Sequence, residues 1–256
     1  MKISKNYFDL VSELAKREIK ARYKQSVLGF FWIIANPLSH MLTLAFIFSI
    51  IVKVPSENIP YPLFLFIGLL PWTLFANTLT HSSRSLIDNA PLLKQVSFPR
   101  DTLVLSTLLA KTLDFFVASM GLLVLFLVYQ QPIGLNALWF LFLLCFQLIF
   151  TFGLGLVVAS LNLFYRDVQH ILSLLLILGM YLTPVIYPLS LVPEKFRIIF
   201  KLNPMSILIH NYRLVLTQGS APEFTDIMIL LIISLGTVIM GYWLFKHWEG
   251  GFGDAV

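Results

Sequence analysis

The stretch Arg17–Pro37, REIKARYKQSVLGFFWIIANP, constrains the fold of this chain more than any other. A charged segment running to Lys24 gives way to an uncharged apolar run that continues to Val52. The first part cannot enter lipid, because a Lys or Arg at the bilayer centre costs roughly 2.5–3.5 kcal/mol. The second part, 23 residues from Phe30, is long enough to cross. A chain built this way lies along a membrane surface and then enters it. The junction also sets the side on which the N-terminal segment sits.

The rest of the composition agrees. Of the 256 residues, 58% are hydrophobic and 12% charged, whereas a water-exposed domain carries about 25% charged residues. The apolar runs are too long for the alternating strands of an outer-membrane barrel, and backbone amides in lipid must be satisfied internally. The expected class is therefore an all-α integral membrane protein. The net charge of +5 does not indicate nucleic acid, because seven of the 18 Lys and Arg fall within the first 24 residues. Such clustering fits a positive-inside bias. Cys145 is the one cysteine, so no internal disulfide forms, and no cleavable signal peptide is expected.

Residues 5–28 read as an amphipathic interfacial helix. Tyr7, Leu10, Val11 and Leu14 recur at helical spacing opposite Asp9, Glu13, Lys16, Lys20 and Lys24. The expected division is a cytoplasmic-side interface helix, 1–29, followed by a six-span domain, 30–256. The spans fall at about 30–52, 61–80, 103–129, 137–163, 171–187 and 226–245. Pro71 marks a kink in the second span. The polar interval His81–Thr102 reads as a loop carrying a short helix, Leu92–Val96, between Pro91 and Pro99. Lys111 and Asp114, three residues apart in span three, lie on one face and can neutralise each other. Thr151, Gly155 and Ala159 offer a smooth face for helix contact in span four. Residues 189–222 contain two apolar pieces too short to cross, read as short re-entrant or surface helices. Lys246–Val256 reads as a short tail. With both termini inside, twelve basic residues fall inside and five outside, with Lys111 within a span, as positive-inside bias requires.

The chain has no phosphate-cradling G-x-x-x-x-G-K-[ST] loop, no H-E-x-x-H and no G-x-S-x-G elbow. Asp114 is the one acid within a span, thin material for an ion relay. A transporter driven by ATP held on another chain fits these absences. The alternative is a membrane-bound glycosyl- or acyltransferase, with Asp114, Asp167 or His210 as its catalytic group. Aromatic residues cluster near span ends and read first as interface belts. Trp32, Trp72, Tyr181 and Tyr187, with Asn36, are the candidates to line a substrate path, because flat aromatic faces suit sugar rings.

Six stretches occur in order along the chain: Arg17–Lys24 with Ser26, Leu28, Gly29, Trp32 and Pro37; Gly68–Trp72; Lys94 with Phe98-Pro99-Arg100; Phe164-Tyr165-Arg166-Asp167; Thr183-Pro184 with Tyr187; and Asn203-Pro204. In this the chain resembles the membrane subunit of ABC-2 type exporters for polysaccharides such as O-antigen, capsule and teichoic acid. It departs at Asp101, where that family usually has Glu. The resemblance implies a homodimer in the bacterial inner membrane, seated on two copies of an ATPase subunit, with both termini cytoplasmic. ATP and Mg would be held by that partner, with no cofactor on this chain. Contacts with the ATPase would come from Arg17, Lys20, Arg22 and Tyr23 on the first helix. Pro91, Leu92, Lys94, Phe98 and Arg100 in the 81–102 loop, and Arg166 and Asp167, would complete that face. The cargo would be a glycan on a polyprenyl diphosphate. An ABC-2 exporter of small lipids or drugs would share this architecture.

Overall fold

The computed structural model describes residues 2–23, 31–55 and 59–255, without the side chains of residues 2–6, 22, 23, 199, 201 and 254. The expected boundary at residue 29 lies outside the described residues. Every regular element among them is helical. In order these are α1 (Lys2–Tyr23), α2 (Phe31–Ala45, continued by a π-helical turn Phe46–Ile51), α3 (Tyr61–Asp88), α4 (Ala90–Gln95) and α5 (Asp101–Val128). There follow α6 (Trp139–Phe164), α7 (Val168–Leu182), α8 (Glu194–Leu202), α9 (Pro204–Arg213), α10 (Phe224–Trp248) and α11 (Phe252–Ala255).

Five of the described helical segments are long and apolar enough to cross a membrane: Phe31–Ile51, Tyr61–Asp88, Asp101–Val128, Leu135–Phe164 and Phe224–Gly251. Within its most apolar window α3 is 78% buried, against 11% for α2 and 17% for α10. So α3 is the central post and the other two are edge helices. α5 and α6 pack along α3, α10 along α6, and α1 along α5.

The helix that carries the second expected span runs on past residue 80 to Asp88. No Pro or Gly interrupts residues 72–90, and two of the serines in the interval read as a loop turn their hydroxyls back on the helix. Ser83 Oγ donates to the Thr80 carbonyl and Ser85 Oγ to that of Ser82, each at 2.8 Å. Ser82, Ser83 and Ser85 are buried. The helix stops at Asn89, whose amide reaches back to the Ser85 carbonyl at 2.8 Å. What remains between Pro91 and Pro99 is α4, close to the short helix expected there.

The helix in the fifth expected span is short. The 15 residues of α7 reach about 22 Å, less than the roughly 30 Å hydrocarbon core, and the chain turns at Thr183 rather than at Tyr187. The two short helices expected between 189 and 222 exist, and they part company. α8 leaves Glu194, Lys195, Phe196 and Ile198 exposed, while α9 buries Met205–Ile209 and Asn211–Arg213 against α3, α6 and α10. The tail is no tail among the described residues: Glu249–Gly251 turn once and α11 folds back, burying Phe252 completely.

The smooth face of α6 works as its spacing implies. Thr151 and Ala159 are fully buried, and a Cβ on Gly155 would meet Val104 at 3.1 Å and Ser82 Oγ at 3.3 Å. A tighter crossing escaped the sequence. A Cβ on Gly153 would sit 2.5 Å from the Thr237 carbonyl carbon, and one on Gly241 would collide with the Gly153 backbone. There α6 and α10 touch backbone to backbone, as small residues permit. Gly241→Leu is expected to destabilise by at least about 1–3 kcal/mol of overpacking, measured as a lowered Tm in detergent. Gly236→Leu on the same helix, where a Cβ meets nothing within 4 Å, should leave Tm unchanged.

Candidate functional site

Three constellations are distributed along α3. The first surrounds its C-terminal end. Leu14 of α1, Leu86, Leu93 of α4, Leu103, Leu163, Phe245 and Phe252 form one apolar cluster, with Leu92, Phe98 and Trp248 against it. A polar chain runs across its rim. Tyr7 donates to the Asp101 carboxylate at 2.6 Å, Lys246 lies 3.5 Å from the same carboxylate, and Lys246 reaches Glu249 at 2.8 Å. Burial and then the Asp101 carboxylate push the Tyr7 phenol well above its ordinary range. Arg100 donates to the Glu249 carbonyl and lies over the Phe252 ring at 5.7 Å. Arg17 donates to Asn89 and Thr107 to Glu18, the latter at 3.1 Å, so α1 is tied to both α3 and α5. The apolar stripe of α1 is spent largely on protein: Val11, Leu14 and Ala15 are buried.

The second is a cleft of about 490 Å³ between α2, α3 and α5. Trp32, Asn36 and His40 come from α2, Asn77 and His81 from α3, and Lys111, Asp114 and Phe115 from α5. Lys111 is 5% exposed. Its ammonium lies 3.9 Å from the Asp114 carboxylate, the pairing expected, and 3.1 Å from His81 Nε2. His81 Nδ1 lies 2.9 Å from the Asn77 carbonyl, which can only accept. The proton therefore sits on Nδ1, and Nε2 accepts from Lys111.

The third constellation clamps the turn after α7, at the far end of α3. Arg213 donates to the carbonyls of Phe64 (3.3 Å), Pro184 (2.7 Å) and Val185 (2.6 Å), with its guanidinium 3.5 Å from the Phe64 ring centre. Tyr61 donates to Ile186 O at 2.7 Å, and Asn203 caps α9 at Met205 N while donating to Thr183 Oγ1 at 2.9 Å. The Thr183-Pro184 and Asn203-Pro204 motifs thus touch. Between the ends, Gln147 donates to the carbonyl of Pro71, inside α3, at 2.8 Å and accepts from Tyr212 at 3.0 Å.

The expected contact residues divide accordingly. Arg17, Leu92, Phe98 and Arg100 join the first constellation. Lys20, Pro91 and Lys94 are exposed beside it on α1 and α4. Arg166 and Asp167 are exposed in the α6–α7 turn, directly after Phe164, whose ring meets Phe252 at 6.0 Å. The side chains of Arg22 and Tyr23 lie outside the described residues. The five residues proposed for a substrate path are not brought together. Trp32 and Asn36 line the cleft. Trp72 is buried, its ring tilted against Phe75 at 5.5 Å and packed beside Gly179 of α7. Tyr187 donates to the Tyr181 carbonyl at 2.7 Å near α8. Asp114, Asp167 and His210 stand on α5, an exposed turn and α9 in turn, and no cluster of metal-ligating side chains occurs among the described residues. Sequence reasoning missed Tyr7, Lys246, Glu249 and Phe252; the one available signal was a lone aromatic, Phe252, inside a glycine-rich run.

A profile of the family described as ABC-2 type transporter matches residues 9–217. The chain is 35% identical to an O-antigen export system permease protein RfbA of Klebsiella pneumoniae, over 100% of this chain and 98% of that one. It is 32% identical to the protein of the same name in Myxococcus xanthus, over 98% and 96%. With the polysialic acid transport protein KpsM of Escherichia coli it shares 25% identity over 93% of each.

Proposed function

The chain belongs to the ABC-2 type transporter family, and from that premise we infer that it is the membrane permease of an ATP-driven polysaccharide exporter of the O-antigen type. The observation that carries this reading is end-to-end similarity, at 32–35% identity, to export permeases of that name. The chain is a transport subunit, and hydrolysis belongs to a separate ATPase. The cargo is a lipid-linked glycan moved across the inner membrane, on a polyprenyl diphosphate. Two copies of this chain seat on two copies of the ATPase, which hold ATP and Mg.

We propose six crossings, with α7 and the turn that follows it as the fifth, and both termini cytoplasmic. α1 lies at the inner surface, and α8 with α9 forms the short pair at the outer side. In that orientation the first constellation faces the cytoplasm. Exposed Lys20, Pro91, Lys94, Arg166 and Asp167 meet the ATPase there, with Arg17, Leu92, Phe98 and Arg100 fixing the surface they stand on. Trp32, Asn36, Trp72, Tyr181 and Tyr187 contribute to the substrate path. The fit is physical: a short helix packed by Leu93 and bordered by prolines is a stiff knob on a loop, suited to receiving force from a soluble partner.

The test is co-expression with a candidate ATPase subunit from the same genome, followed by purification through a tag on the ATPase. The expected result is a stable complex of both chains, and loss of surface glycan when this chain is deleted. Export that persists in the deletion strain would sink the reading.

A further inference from the structure

The six residues of α4 are too few to hold a helix by themselves, because so short a piece never recovers the entropy of its first turn. Leu93 is its one buried side chain, so packing from outside decides where α4 stands. The elements packed against it most extensively are α3, its neighbour in sequence, and α11, from the far end of the described chain. Leu93 enters an apolar cluster with Leu86, Leu103, Leu163, Phe245 and Phe252. That cluster is separate from the larger one that fills the bundle around α3.

Phe252 is fully buried, and several lengths of chain meet on it. Its ring stands edge-on to Phe245 of α10, centres 5.1 Å apart, and lies 6.0 Å from the Phe164 ring at the end of α6. The Arg100 guanidinium, at the entry to α5, covers it at 5.7 Å while donating to the Glu249 carbonyl. Phe164 also meets Trp248 edge-on at 5.7 Å, and a Cβ on Gly251 would touch its ring at 3.5 Å. The hook formed by residues 249–255 therefore touches α4, the entry to α5 and the end of α6 at once. Its root is firm, since it continues α10, whose Gly241 presses on the Gly153 backbone of α6. Because the bundle has its own core, loosening the hook frees this surface without dissolving the spans.

We propose that Phe252 is a positioning residue for the coupling of ATP hydrolysis to export. It sets the spacing between α4 and the α6–α7 turn, two exposed places that a rigid soluble partner has to engage together. A push on a loosely held α4 moves that helix alone, whereas a push on a clamped one is shared with the turn. The inference rests on the ATPase contact proposed above.

The test uses the complex with the ATPase in liposomes and reads glycan exported per ATP hydrolysed, beside membrane-fraction yield and co-purification. Phe252→Ala should lower that ratio at least about fivefold, the lower end of the usual coupling between two sites, with yield and co-purification at wild-type levels. Phe252→Leu, which keeps a bulky apolar side chain in place, should retain about half of the ratio or more. Spin labels on exposed Gln95 of α4 and Tyr165 of the turn, in a Cys145→Ser parent diluted with unlabelled chain, read the spacing directly. Their distance distribution should broaden with Phe252→Ala and narrow again with Phe252→Leu, a reversal that an effect on yield alone would not produce. Where Phe252→Ala does not reach the membrane, Phe252→Val is read in the same way. A wild-type ratio in the smaller variant, or a spacing that it leaves narrow, would overturn the proposal. A wild-type complex that does not assemble counts against the proposed function instead, so the two failures are told apart.

Discussion

Arg213→Met is expected to remove most of the folded subunit from the membrane fraction. The side chain is 6% exposed and donates to three carbonyls on two different segments, Phe64 of α3 and Pro184 and Val185 of the turn after α7. A hydrogen bond to a charged group contributes about 1.5–3 kcal/mol, and a buried acceptor stripped of its donor costs about 1–3 kcal/mol. The methionine variant loses three such donors at once, in a turn where Pro184 has no N–H of its own to offer. Arg213→Lys should be intermediate, because an ammonium is a point donor and cannot fork between adjacent carbonyls. Gly68→Ala should damage the same clamp from the other side, since a Cβ there would press on the guanidinium at 2.7 Å. The measurement is membrane-fraction yield with Tm in detergent. Wild-type values for Arg213→Met would mean that the turn is held by its other ties alone.

Arg100→Glu is expected to lower glycan export by more than tenfold while ATP hydrolysis by the assembled complex continues. The guanidinium holds the Glu249 carbonyl and covers Phe252, so it fixes α11 against the base of α5. A carboxylate there faces a carbonyl and the neighbouring Asp101, and both repel it. The consequence falls on the surface that the ATPase is proposed to grip, rather than on the span bundle, so the subunit should still reach the membrane. Two companion variants separate packing from contact. Arg100→Gln keeps a donor for the Glu249 carbonyl and should retain much of the export. Lys94→Glu, on an exposed side chain of α4, changes charge without touching the packed interior. If Lys94→Glu exports normally and Arg100→Glu does not, the defect lies in how the surface is held. Normal export from Arg100→Glu would remove Arg100 from the coupling path.

The all-α membrane class was legible in the charge and apolar patterning, because lipid leaves few options to a chain with 12% charged residues. The Lys111–Asp114 pair and the small-residue face at Gly155 were legible from helical spacing alone. What patterning mistook was polarity that is satisfied inside the protein. His81-Ser-Ser-Arg-Ser looks like a loop to a hydropathy scale, yet it is helix, and Ser83 and Ser85 bond back one turn to backbone carbonyls. Arg213 looks like a surface charge, yet three carbonyls and an aromatic ring receive it in the interior. Partners that are distant in sequence leave no local trace. Tyr7 and Asp101 lie 94 residues apart, and Arg100 and Glu249 lie 149 apart. The same holds for the cleft, whose three walls come from three helices that no short motif connects.

The glycine-on-glycine crossing of α6 and α10 has a mechanical corollary. Two helices that meet without intervening side chains have no rotamers to exchange, so they have no second arrangement to slip into. The pair is therefore expected to move as one unit. If displacement arrives through α1 and α5 it would be taken up elsewhere, and α2, 11% buried within its most apolar window and packed on α3 and α5 alone among the long helices described, has the least packing to lose. A disulfide tying α6 to α10 should leave cycling intact, whereas one tying α2 to α3 should stall it.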